Sequence, residues 1–239
     1  PEDSRSDEYR LGLQQTRRRP GDWRETRFID YIHEDYRVGD ERGTSNLIVP
    51  GISWAEQPLL LTGRPRRGNR LNLRLSGTDE WLGSDTAFVQ VETGGKLILP
   101  LGANARLLTR LEAGWTIKDD FSDLPFSVRY FAGGDGSVRG YDYKALGPTD
   151  VDGNVIGGAN KLVGSLEFDA QVYGNWSAAV FVDSGNAFNS FSDMSLQTSV
   201  GGGIRWYSPL GPVRFDVGVP LDRDAPDSYR IHISLGPDL

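Results

Sequence analysis

Few residues in this 239-residue chain have the types and spacing that do covalent chemistry. Histidine occurs twice, as His33 and His232, and cysteine not at all. A nucleophile–His–acid triad would have to use one of these two, and no Gly-x-Ser-x-Gly elbow accompanies them. Lone histidines in separate strands are far more often lumen or surface residues than ligands. Asp119-Asp120 pairs two carboxylates in a predicted loop, where solvated charge is the default. The run Gly133-Gly134-Asp135-Gly136-Ser137-Val138-Arg139-Gly140 invites a phosphate-loop reading. It lacks the Gly-Lys-Ser/Thr ending, misses the GxGxxG spacing, and no helix follows to offer its N-terminus to an anion. Asp150-Val151-Asp152-Gly153-Asn154 opens like a calcium loop, but Val155 stands where glycine is needed and Lys161 where a bidentate Glu belongs. A polar turn is the better reading. Asn175-Trp176-Ser177 is a glycosylation sequon in form only, set in a tight turn. The expectation is a protein that is not an enzyme, with no catalytic residue, metal ligand or cofactor.

What the elements are is plainer. Hydrophobic residues make up 38% of the chain and the mean hydropathy is −0.42. That average does not exclude a membrane, because a spanning barrel alternates lipid-facing and lumen-facing side chains. No run of 18 apolar residues occurs, which excludes a helical span; the remaining way to satisfy every backbone group in lipid is a closed sheet. Thirty glycines and thirteen prolines suit many turns rather than a helical bundle. A net charge of −7 argues against a nucleic-acid partner, which wants a basic face.

Period-two alternation recurs along the chain. Residues 105–117 place Ala105, Leu107, Leu111, Ala113, Trp115 and Ile117 opposite Arg106, Arg110, Glu112 and Thr116. Residues 160–173 set Leu162, Leu166, Phe168, Ala170 and Val172 opposite Glu167, Asp169 and Gln171. Residues 211–219 set Val213, Phe215, Val217 and Val219 opposite Arg214 and Asp216. Each segment has roughly the 9–11 residues that cross a bilayer at a tilt. Eleven strands are predicted, near 7–18, 23–37, 44–57, 68–78, 84–100, 104–117, 160–174, 176–186, 198–208, 211–220 and 228–236. Charge falls on both faces over 27–37. Connections alternate between tight turns (Pro100-Leu101-Gly102, Gly174-Asn175, Ser208-Pro209-Leu210) and longer loops (118–159, 187–197, 221–227). That is the outer-membrane pattern, with the short side periplasmic. Trp54, Trp81, Trp115, Trp176 and Trp206 lie near strand ends, where an interface girdle would use them.

Several ordered motifs then carry a resemblance. Phe131-Ala132-Gly133-Gly134-Asp135 followed by Ser137-Val138-Arg139-Gly140-Tyr141 resembles the VRGF/VRGY signature of the sixth extracellular loop in the BamA/TamA superfamily. Leu162-Val163-Gly164-Ser165-Leu166-Glu167 and Phe181-Val182-Asp183-Ser184-Gly185 resemble its partner strand motifs. Gly202-Gly203-Ile204-Arg205-Trp206, Ser208 to Asp216, and the ending Ser234-Leu235-Gly236-Pro237-Asp238-Leu239 continue it. With Tyr141-Asp142-Tyr143-Lys144, these look like the TamA branch. The match is clear from about 120 to the C-terminus and looser before it.

The resemblance implies an all-β fold: the C-terminal portion of a transmembrane antiparallel β-barrel, about 11 of 16 strands, with loop 118–159 folded inward. It implies a clamp of Val138, Arg139, Gly140, Tyr141, Glu167, Phe181, Asp183 and Gly185. Parity puts Glu167, Asp183 and Phe181 on the non-lipid face, and a guanidinium can fork onto carboxylates bidentately. It implies a weakly paired seam along 228–236, with Tyr229, Ile231, Ile233, Ser234 and Gly236, able to template a client strand. Many relatives carry a kink glycine where this chain has Ser234. The implied setting is the bacterial outer membrane. The implied partners are the lipid bilayer, client outer-membrane proteins such as autotransporters, and an inner-membrane-anchored TamB-like protein, with POTRA domains and further strands upstream. Alternatives are a two-partner secretion pore, the barrel anchor of a fused patatin-like hydrolase, and a passive porin, which the clamp argues against. Strand parity places the start of the first strand outside the membrane. An open edge at 7–18, or a second copy pairing with it, is therefore expected.

Overall fold

The computed structural model describes residues 5–38, 41–56, 64–118, 121–208, 211–222 and 228–236. Asp119-Asp120 and the terminal Pro237-Asp238-Leu239 lie outside them. Eleven antiparallel strands form one sheet: β1 (Arg5–Arg19), β2 (Trp23–Val38), β3 (Glu41–Glu56), β4 (Gly68–Thr78), β5 (Phe88–Leu101), β6 (Ala105–Ile117), β7 (Asn160–Tyr173), β8 (Trp176–Phe188), β9 (Gln197–Ser208), β10 (Gly211–Pro220) and β11 (Arg230–Leu235). Spatial order follows chain order, so every pair is a hairpin of neighbours. Among the described residues the sheet is not closed, and β1 and β11 are its two edges. An open edge at the first strand is what strand parity called for.

Alternation does what the sequence implied. Leu166, Phe168, Val180, Val182, Ile204 and Phe215 are exposed, and Leu162, Val213 and Val217 are half-buried; Glu167, Asp169, Asp183, Arg205 and Asp216 are buried. This is the reverse of a soluble domain, where the apolar set would be inside. The buried face is kept by loop 118–159. Ile32, Leu47, Val49 and Phe88 pack around Leu124, with Phe121 and Val128 against them. Val163 packs with Ala132, Val138, Tyr141 and Leu146. The core is thus the junction between the inner wall and a loop that pairs with itself at Tyr130–Gly158, Ala132–Leu146 and Thr149–Val155. In that loop, Asp150 Oδ1 accepts from the backbone N–H of Asp152 (3.0 Å) and of Asn154 (2.8 Å), which makes the calcium-like run a side-chain-closed turn.

Three details depart from expectation. β5 begins at Phe88 rather than near 84, because Ser84 and Asp85 turn back onto β3. The Ile48 N–H donates to Ser84 Oγ at 2.7 Å and the Asn46 N–H to Asp85 Oδ2 at 2.7 Å. β3 pairs with β4 only over Gly51–Ala55, so this loop satisfies the exposed part of β3. β11 is six residues, shorter than 228–236, with Tyr229 before it and Gly236 (φ +153°) after it. The connection over 57–67 sits at the short-turn end yet is eleven residues long. Its described part, 64–67, returns to the wall: Arg66 Nη2 donates to Gly102 O at 2.5 Å and Arg106 Nη1 to Pro65 O at 2.5 Å.

Candidate functional site: an ion cluster joining the loop to the wall

The loop reaches the wall through a sharp turn at Gly133 and Gly134, both left-handed (φ +100° and +96°). A Cβ on Gly133 would run into the Asp142 carbonyl, so only glycine fits there. The turn presents Ser137–Tyr141 to β7–β10. Val138 is wholly buried beside Val163. The Gly140 N–H donates to Ser199 Oγ at 3.1 Å, and the Tyr141 hydroxyl to Asp222.

Arg139 sits at the centre. Its Nε and Nη2 fork onto Asp183, at 2.7 Å to Oδ2 and 2.9 Å to Oδ1, and its backbone N–H reaches Oδ2 at 3.1 Å. Nη1 donates to Glu167 Oε2 at 2.6 Å and lies 3.4 Å from Asp216 Oδ2. Nη2 also reaches Ser165 Oγ at 3.3 Å. The guanidinium lies over the Phe181 ring, 3.4 Å from its centroid, a desolvated cation–π contact. Burial works against the Arg139 charge; the hydrogen bonds and charges of Asp183 and Glu167 outweigh it and hold the guanidinium above its ordinary pKa.

Of the residues named from sequence, Val138, Arg139, Gly140, Tyr141, Glu167, Phe181 and Asp183 meet in this one place. Gly185 does not touch Arg139; it lets β8 approach β7, since a Cβ there would lie 2.7 Å from Leu162 O. Four participants lie outside the predicted clamp, although three of them, Ser165, Arg205 and Asp216, stand within the quoted motifs. Arg205 pairs with Glu167 (Nη2–Oε1 3.0 Å) and Asp216 (Nη1–Oδ1 2.5 Å). Ser165 Oγ donates to Asp183 at 2.6 Å. His232 Nε2 lies 2.6 Å from the Arg139 carbonyl oxygen; a carbonyl only accepts, so this nitrogen carries the proton. The alternation that turns Ile204 and Phe215 outward turns Arg205 and Asp216 inward, and was the available signal. The cluster holds two cations against three carboxylates. A second buried knot lies nearer the short turns. Asp169 accepts from Arg106 Nη2 (2.7 Å), Arg64 Nη2 (2.9 Å) and the Tyr207 hydroxyl (2.7 Å).

The candidate seam borders the first cluster. β11 pairs with β10 from Val213–Leu235 to Gly218–Arg230, and Ser234 faces Arg214. Its other edge has no partner among the described strands. Tyr229, Ile231 and Ile233 are exposed. Arg230 forms an ion pair with Asp142 of the loop, so β11 touches the loop at two inward residues, Arg230 and His232.

Comparison with known proteins places this arrangement. The description "Omp85 superfamily domain" matches residues 7–238. The chain belongs to the Omp85 superfamily. It is 31% identical over 165 residues to the outer membrane protein assembly factor BamA of Nitratidesulfovibrio vulgaris, covering 65% of this chain and 21% of that protein. It is 29% identical over 151 residues to BamA of Neisseria meningitidis serogroup B, covering 48% and 19%. The chain therefore spans about a fifth of the curated relatives it matches. Among solved structures, BamA from Haemophilus ducreyi lacking POTRA domains 1–3 superposes with a TM-score of 0.77 at 21% identity, over 96% of this chain and 53% of that one. CdiB from Escherichia coli superposes with a TM-score of 0.64 at 17% identity, over 95% and 44%. Omp85 membership makes this a β-barrel chain of the bacterial outer membrane. The exposed leucines, valines and aromatics of its outer face are then lipid-facing, and the ion clusters lie on the lumen side. Neither the family nor these relatives single out TamA.

Proposed function

We propose that this chain is the barrel part of a factor that assembles or translocates outer-membrane proteins, in the manner of TamA. The observation that carries the reading is the tie between the inward loop and the last strand. Arg139 anchors an inward loop to β7, β8 and β10, and its carbonyl holds His232 of the last strand, β11. A passive pore has no use for a last strand tied to the backbone of an inward loop. An assembly factor does: releasing the loop would loosen the last strand, and a freed strand edge templates an incoming strand by β-augmentation. Clients would be outer-membrane proteins, autotransporters included. An inner-membrane-anchored TamB-like partner and upstream POTRA domains and strands would complete the machine. Val138, Arg139, Gly140, Tyr141, Glu167, Phe181 and Asp183 are assigned to holding the loop. Tyr229, Ile231, Ile233, Ser234 and Gly236 are assigned to the seam.

The test is Arg139→Ala in the full-length protein in its own membrane. Client assembly should fall while the barrel itself still inserts; normal client assembly with an inserted variant overturns the reading. A second reading, a pore dedicated to one secreted substrate, is favoured by the fold likeness to CdiB, though at a lower TM-score than to BamA. Depletion followed by an inventory of surface proteins separates the two: several clients lost, or one.

A further inference from the structure

Charge in this chain is unevenly placed. The chain has 26 basic and 33 acidic residues. Two stretches, 15–27 and 56–70, hold nine arginines against Asp22, Glu25 and Glu56. Everything else holds seventeen basic and thirty acidic residues. Both stretches lie at the same end of the sheet, because they contain the β1–β2 turn and the β3–β4 connection. In an outer-membrane barrel this short-turn end faces the periplasm.

Three of these arginines are on the lipid-facing wall. Arg17 and Arg19 share the parity of exposed Leu11 and Leu13, and Arg27 that of exposed Ile29. Register sets Arg17 beside Glu25, Glu25 beside Trp54, and Arg27 beside Ile52. Glu25 is only 5% exposed although it is on the outer face. Arg19 Nη2 covers it at 2.6 Å and Arg27 Nε at 3.0 Å. The two guanidinium side chains nonetheless stay about half exposed, at 46% and 55%. Glu56, on the same face, is taken by Asn69 Nδ2 at 2.7 Å. Three cations against two occupied carboxylates leave this wall positive where its apolar band ends.

That height has its own chemistry. Lipid tails end there and phosphates begin. Trp54 marks the level as an interfacial residue does, and cations bordering a hydrocarbon band are stable where they meet head groups. A guanidinium with one edge on Glu25 and the other open has the fork that matches a phosphate. We propose that this rim is a binding site for anionic phospholipid head groups of the periplasmic leaflet. Arg17, Arg19 and Arg27 take the phosphate, and the acyl chains lie along Leu11, Leu13 and Ile29. An acidic protein partner is disfavoured, because these arginines stand on the membrane wall beside apolar side chains.

The experiment places the purified protein in phosphatidylcholine bilayers. Its relative affinity for spin-labelled phosphatidylglycerol and phosphatidylcholine is read from the motionally restricted fraction. The expected result is a severalfold preference for phosphatidylglycerol that shrinks as salt is raised. It should vanish in the triple variant Arg17→Gln, Arg19→Gln, Arg27→Gln. Arg19 and Arg27 also cover Glu25, so the triple variant could fail to fold. Arg17→Gln alone lies outside those ion pairs and should lose part of the preference. Equal affinity for the two lipids in the native protein overturns the proposal. So does an undiminished preference in Arg17→Gln, or a preference that persists at high salt.

Discussion

Replacing Arg139 by alanine removes more than one interaction. The fork to Asp183 goes (2.7 and 2.9 Å), as do the bond to Glu167 (2.6 Å) and the stack on Phe181. Asp183, 0% exposed, keeps only Ser165 Oγ (2.6 Å) and the backbone N–H of residue 139 (3.1 Å). Two cations against three carboxylates become one against three. Breaking a buried pair from one side costs about 3–5 kcal/mol, because the abandoned charge is still buried. The hydrogen bonds and the stack are not added to this, since they act as a unit. With each 1.4 kcal/mol a factor of ten, the undocked loop should rise by roughly two to three and a half decades. Hydrogen exchange of the amides of residues 138–141 reads this directly, since those of 139 and 140 are tied to Asp183 and Ser199. Arg139→Lys restores the charge but not the fork, and should fall between. Loop amides in Arg139→Ala that exchange within about twofold of the native rate would refute the reasoning, a change of ~0.4 kcal/mol on that scale. So would Arg139→Lys behaving as native.

His232→Ala should speed exchange along β11 while β7–β9 stay protected, and His232→Gln, which keeps a donor for the Arg139 carbonyl, should recover most of the loss. Gly218→Ala puts a methyl into the Arg139 carbonyl and the Gly140 N–H; we expect loop undocking and a loss of about 1–3 kcal/mol, as overpacking costs elsewhere, measured by chemical unfolding. Leu166→Trp, on the outer wall, should be quenched by brominated lipid chains, and an unquenched tryptophan there would remove β7 from the membrane. Asp169→Asn should leave Arg106 and Arg64 without their carboxylate and free residues 64–67, detected as new protease cleavage on the periplasmic side.

Most strands were legible because lipid enforces the alternation that the eye reads. β6, β7 and β10 carry apolar side chains at most second positions, and their bounds came within a residue or two. β2 was harder, since Glu25, Arg27 and Asp35 put charge on its outer face; the structure shows Glu25 neutralised by Arg19 and Arg27. What sequence could not supply was pairing across distance. Parity turned Arg205 and Asp216 inward, but nothing in their spacing says that Glu167 is shared between Arg139 and Arg205. The β3–β4 connection escaped for another reason: its length broke the rule of short turns, and its arginines find their acceptors on β7 and the β5–β6 turn, while Arg106 of β6 donates back to Pro65 O.

The position of His232 ties these points together. β11 is the shortest strand, six residues long, with outward side chains as exposed as Ile233 at 73%. A ladder so short is easily frayed, and hydrogen bonds at such an edge are individually worth only ~1 kcal/mol. The inward side supplies what the ladder lacks. Residue 232 sits opposite Asp216, which belongs to the ion cluster, and bonds the carbonyl of the residue at the cluster's centre. Arg230 adds a second tie to Asp142, three residues further along the loop. Docking of the loop therefore adds to whatever pairing holds this last strand. A protein that must open an edge to a client and close it afterwards can act on that loop, without melting any of the ten longer strands.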